Sequence, residues 1–66
     1  MDPVVAGAMR IIIQEAQHQG FQVWWSEETG GWKFVTPEGE ALWFHPRTQL
    51  DVVHVLAVLI SFGLAW

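Results

Sequence analysis

From Val52 to Trp66 only His54, Ser61 and Gly63 interrupt a run of large or small apolar residues. That run limits what the chain can become. As a helix its 15 residues would reach about 22 Å, short of the roughly 30 Å hydrocarbon core of a bilayer. The run therefore reads as a buried helix, and no membrane partner is expected. In the helix that includes it and the residues just before, Leu50, Val52, Val53, Val55, Leu56, Ala57, Val58, Leu59, Ile60 and Phe62 surround almost the whole axis, leaving Asp51, His54 and Ser61 as a polar line. A helix apolar on nearly every side needs cover from two directions.

The rest of the chain offers little cover. A chain of 66 residues has room for one domain, residues 1–66, and folding at this size buries only about 60% of the surface. No cysteine is present to supply a disulfide or a thiolate metal site. Small scaffolds without such cross-links rely on dense apolar packing or oligomerisation, and 52% hydrophobic residues with five Trp and four Phe suit both. With no cysteine usage to read and no positively charged segment after Met1-Asp2-Pro3, a cytoplasmic setting is the default.

The punctuation of the sequence gives the order of elements. Asp2 is a good N-cap and Pro3 a good first helical residue; Val5, Ala8, Met9, Ile12 and Ala16 then recur at helical spacing opposite Arg10, Gln14 and Gln17. This predicts a first helix from Pro3 to His18, stopped at Gly20 as its left-handed terminal residue. Phe21 to Trp25, Trp32 to Thr36 and Ala41 to His45 read as three strands of a meander. They are separated by the turn chemistry of Glu27-Glu28-Thr29-Gly30-Gly31 and Pro37-Glu38-Gly39-Glu40. Thr48 followed by Asp51 reads as a capping box opening a second helix, Gln49 to Phe62, that closes at Gly63. The expected fold is α+β, in the order α-β-β-β-α, with two helices packed on one face of a three-stranded antiparallel sheet.

Alternation along the strands sorts side chains into two layers. Phe21, Val23, Trp25, Trp32, Phe34, Leu42 and Phe44 form the layer expected under the helices. The opposite face would carry Gln22, Trp24, Lys33, Val35, Trp43 and His45, an aromatic patch that three strands cannot cover. Surplus apolar surface of this kind marks interaction sites. Self-association as a homodimer, through the open sheet face or the second helix, is the expectation; the alternative is that the tail Leu64-Ala65-Trp66 folds back over the excess.

The polar residues suggest recognition more than catalysis. Asp51 and His54 stand three apart, the spacing by which a carboxylate orients a general base, but Ser61 is two turns away, about 10 Å along the axis, so no compact triad follows. His18, His45 and His54 do not pair at zinc-binding spacing, and no metal or other cofactor is expected. Glu27 with Glu28, and Glu38 with Glu40, flank turns that give no enclosed pocket to raise one carboxyl. Gly30-Gly31 lacks the lysine and helix start of a phosphate loop. His45-Pro46-Arg47 beside Trp43 is the best polar recognition spot, and the candidate binding residues are Trp24, Lys33, Trp43, His45 and Arg47. No residue is singled out as catalytic.

Three basic residues stand against seven acidic ones, a formal net charge of −4. Nucleic-acid affinity depends on Lys and Arg at phosphates, so this balance disfavours RNA and suits a basic protein partner.

Gln19-Gly20-Phe21 after the first helix, Gly30-Gly31-Trp32-Lys33-Phe34 opening strand 2, Pro37-Glu38-Gly39 in the turn, Pro46 after strand 3 and Phe62-Gly63-Leu64 near the end together resemble the HicA-like toxin family over nearly the whole chain. The resemblance implies a double-stranded-RNA-binding-like fold and, for active members, translation-independent mRNA cleavage restrained by an antitoxin. The family's catalytic His lies in the Gly-rich start of strand 2, where this chain has Gly30, Gly31 and Trp32. The leading expectation is therefore a non-catalytic HicA-like domain that binds protein, antitoxin-like or basic, and associates with itself. Two alternatives stand beside it: an mRNA-cleaving toxin of a toxin–antitoxin pair using His45 or His54, and a small acidic phage-type inhibitor of a nucleic-acid enzyme.

Overall fold

Both helices begin and end through side chains and glycines that the sequence places at their limits. The computed structural model describes residues 2–66. Helix α1 spans Pro3–His18, with Asp2 as its N-cap: Oδ1 accepts from the backbone N–H of Val4 at 2.7 Å and of Val5 at 3.4 Å. Helix α2 spans Gln49–Ser61 and opens with a complete capping box between Thr48 and Asp51. The two helices then close in the same way. Gly20 and Gly63 take the left-handed conformation, at φ 98° and 103°. The following residue donates back across the last turn, Phe21 N–H to the Ala16 carbonyl at 2.9 Å and Leu64 N–H to the Leu59 carbonyl at 3.0 Å. In this arrangement the residue after the glycine is turned inward against the helix it has just left. Phe21 and Leu64 are both buried as a result.

Between the helices, β1 (Gln22–Ser26), β2 (Gly31–Val35) and β3 (Ala41–Phe44) form an antiparallel sheet in the order β1-β2-β3. The expected elements are present with small shifts at their ends. Phe21 precedes β1 because it belongs to the turn that closes α1, β2 begins at Gly31, His45 lies just past β3, and Phe62 caps α2. The register sets Val23 opposite Phe34 and Phe34 opposite Leu42, with Trp25, Trp32 and Phe44 in the next row on the same face. Thr36 closes the β2–β3 turn: its N–H donates to the Glu40 carbonyl at 2.8 Å, and its buried hydroxyl accepts from the Glu40 N–H at 3.0 Å.

The core joins Val5, Met9, Ile12 and Ala16 of α1 to Val52, Val55 and Leu59 of α2, with Phe21, Phe34, Phe44 and Leu64. Phe34, on the central strand, is fully buried and lies edge-on to Phe44 with ring centroids 5.5 Å apart. Trp25 departs from the expected buried layer. It is on an edge strand, meets Trp32 edge-on at 5.1 Å on its one paired side, and remains 46% exposed.

Helix α2 has one side in the core and the other outside it. Leu50, Val53 and Ile60 are 77%, 61% and 46% exposed, and Ala57 is exposed with them. The tail does fold back, but onto α1. The Gln19 side-chain amide accepts from the Ala65 N–H at 2.7 Å and donates to the Ala65 carbonyl at 2.6 Å, while Glu15 holds the same amide at 2.9 Å. No helix among the described residues is long and apolar enough to cross a membrane.

Candidate functional site

On the outer face of the sheet the register places Lys33 directly between Trp24 on β1 and Trp43 on β3. The ammonium lies 5.8 Å from the Trp24 ring centroid and 5.3 Å from that of Trp43, within range of a cation–π contact with each. Both indoles remain about half exposed, at 49% and 50%. One strand period further on, about 7 Å, the same face carries Gly31 with His45 beside it. A Cβ on Gly31 would come within 2.6 Å of the His45 Cε1 and Nδ1 atoms and of the Phe44 carbonyl oxygen. The imidazole thus rests against backbone at a place where only glycine leaves room.

At this end of the sheet the β1–β2 turn and the β3–α2 connection enclose a concavity of about 260 Å³, lined by Trp25, Gly30, His45, Pro46 and Arg47. The connection is held firmly. The Asp51 carboxylate accepts from the backbone N–H of Arg47 at 2.9 Å and of Thr48 at 3.1 Å, and the Asp51 N–H donates to the Thr48 hydroxyl at 3.1 Å. These backbone donors, first Arg47 and then Thr48, hold the Asp51 carboxyl below its usual pKa, with smaller help from the Thr48 hydroxyl and the charge of His54. Pro46 is buried. Arg47 is anchored through its backbone alone, and its exposed guanidinium donates to no protein group among the described residues.

Of the five candidate binding residues, Trp24, Lys33 and Trp43 form one row, and His45 with Arg47 form the wall of the adjoining concavity. Sequence reasoning had assigned Trp25 to the core, so its place in that wall was missed. No local signal marks this for Trp25; Gly31 marks only the close approach of His45 and the Phe44 carbonyl. The Asp51–His54 pairing does not assemble as a dyad, because the carboxylate is taken up by the Arg47 and Thr48 amides. Ser61 donates to the Val58 carbonyl at 2.6 Å, within its own helix. No group of three or more His, Asp or Glu among the described residues could hold a metal ion. A larger open concavity, about 580 Å³, lies between α1 and the tail and is lined by Ile11, Gln14, Glu15, His18, Ala65 and Trp66; nothing in the sequence pointed to it, because it exists only once Gln19 holds Ala65.

Comparison with protein-family models, with curated proteins and with solved structures finds no match for this chain.

Proposed function

We propose that this chain is a protein-binding module with a HicA-like order of elements, and that it associates with itself through the exposed side of α2. One observation carries the reading: Leu50, Val53, Ala57 and Ile60 are all exposed and follow one another at intervals of three, four and three residues. That is the spacing of a seam between paired helices. It lies on a helix whose other side is already committed to the core, and the tail that could have covered it is held against α1 instead. A two-fold axis would bring the same stripe of two copies together, the self-complementary geometry of most homodimers. The test is solution mass by light scattering across a dilution series. A dimer that Val53→Glu converts to a folded monomer is expected; a monomer at every concentration refutes the reading.

A second reading, mRNA cleavage of the HicA type, is favoured by the position of His45. The resemblance puts the family's catalytic imidazole at the start of strand 2, and His45 of β3's extension sits against Gly31 at that place. Growth arrest on expression that His45→Ala relieves would support it. Expression without arrest counts against it.

A further inference from the structure

The concavity at the end of the sheet combines three features that seldom meet by packing alone. It has an apolar wall, the half-exposed indole of Trp25; an imidazole, His45, seated against Gly31; and a guanidinium, Arg47, with no acidic partner among the described residues. Lys33 stands one row away on the same face as His45. Two of the chain's three Lys and Arg residues and one of its three histidines thus lie in or one row from this concavity, in a molecule whose net charge is −4. Arginine is charged at every physiological pH, and its planar fork matches a carboxylate through two parallel hydrogen bonds.

Size and surrounding charge narrow the ligand. About 260 Å³ falls just below the usual range for small-molecule sites, which begins at about 300 Å³, so one side chain fits where an extended ligand does not. Glu27 and Glu28 lie in the β1–β2 turn that borders the concavity. Like charges at that border oppose a string of phosphates more strongly than a single carboxylate, which brings one negative charge instead of several. We propose that the Trp25–His45–Arg47 concavity is an anchor pocket for an acidic side chain of a partner protein, its carboxylate on Arg47 and His45 and its methylene stem against Trp25. This goes beyond self-association through α2, because it assigns a different surface and a different ligand.

The experiment is a titration of the full, isotope-labelled chain followed by nuclear magnetic resonance, reading the Trp25 indole N–H and the His45 imidazole. The probes are N-acetyl-Leu-Glu-Leu-amide, its Gln twin, uridine monophosphate and inorganic phosphate, all at one ionic strength. The Glu peptide is expected to shift both signals saturably. The Gln twin should bind at least about tenfold more weakly, as should Arg47→Gln with the Glu peptide. Arg47 is exposed and holds the fold only through its backbone, so the substitution leaves the structure intact, and unchanged remaining resonances verify this. The proposal is overturned if the Gln twin binds equally well, if the nucleotide or phosphate binds more tightly than the peptide, or if no probe shifts these signals. Val53→Glu should leave the titration unchanged, so the pocket and the α2 dimer can fail separately.

Discussion

Gly31→Ala tests whether the candidate site is built by close approach of backbone and imidazole. Gly31 does not have a positive φ, so backbone conformation alone would accept alanine. Such a replacement ordinarily stabilises a protein by about 0.4–1 kcal/mol through the entropy of the unfolded chain. Here the new Cβ would stand 2.6 Å from two imidazole atoms and from the Phe44 carbonyl oxygen, roughly 1 Å inside comfortable contact. Overpacking of this kind costs about 1–3 kcal/mol. The imidazole can swing away, because His45 is exposed; the carbonyl cannot, because it belongs to the chain at the end of β3. A net loss of about 1–2 kcal/mol is expected, a sizeable part of the roughly 3–10 kcal/mol available to a domain of this size. Urea denaturation followed by tryptophan fluorescence would show it as a fall in midpoint of about 1–2 M, taking a slope of about 1 kcal/mol/M for so small a protein. In the His45→Ala background the loss should shrink by about half and not vanish, since the carbonyl clash remains. An alanine variant as stable as the parent would refute the close approach and with it the seating of His45 against Gly31.

Phe34→Ala should cost about 3–5 kcal/mol, because the side chain is fully buried on the central strand, and should leave the domain largely unfolded by circular dichroism. Gln19→Ala should remove about 1 kcal/mol and abolish the slow hydrogen exchange of the Ala65 N–H, while that of Leu64, which donates to Leu59, persists. The Asp51 carboxyl is held below its usual pKa by the Arg47 and Thr48 amides. A depressed folded pKa adds stability above the unfolded value that is lost as pH falls through the folded one. The urea midpoint should therefore drop as pH is lowered below about 4, and Asp51→Asn should flatten that part of the profile.

The helices were the most legible part of the sequence because their limits are written locally. Asp2-Pro3 and Thr48–Asp51 cap the starts with their own side chains, and Gly20 and Gly63 stop the ends. The alternation of the strands likewise separated Phe34 and Phe44 from Trp24 and Trp43. What alternation could not express was position across the sheet. Trp25 and Phe44 share a row and a face, yet Phe44 is 8% exposed and Trp25 46%. Both stand on edge strands, so the difference lies in what packs above each, which no local pattern records. The destination of the tail was hidden for a similar reason. Gln19 reads as an ordinary residue at the end of a helix, and its bonds to Ala65 span 46 positions.

The site was legible in its residues and not in its character. Net charge is an average over the whole surface, and an average of −4 argues against anionic ligands only if the charges are evenly spread. The fold does not spread them evenly. Glu27, Glu28, Glu38 and Glu40 fall in the two turns of the meander, while Lys33 and His45 share one sheet face and Arg47 extends the line into the next connection. At contact distance a guanidinium attracts a single carboxylate more strongly than exposed carboxylates farther off, screened by water and salt, repel it. The acidic composition therefore governs how this protein behaves toward extended polyanions, whose charges must meet the whole surface. It does not govern what a pocket of about 260 Å³ selects, because there the nearest few groups decide, and those are an indole, an imidazole and a guanidinium.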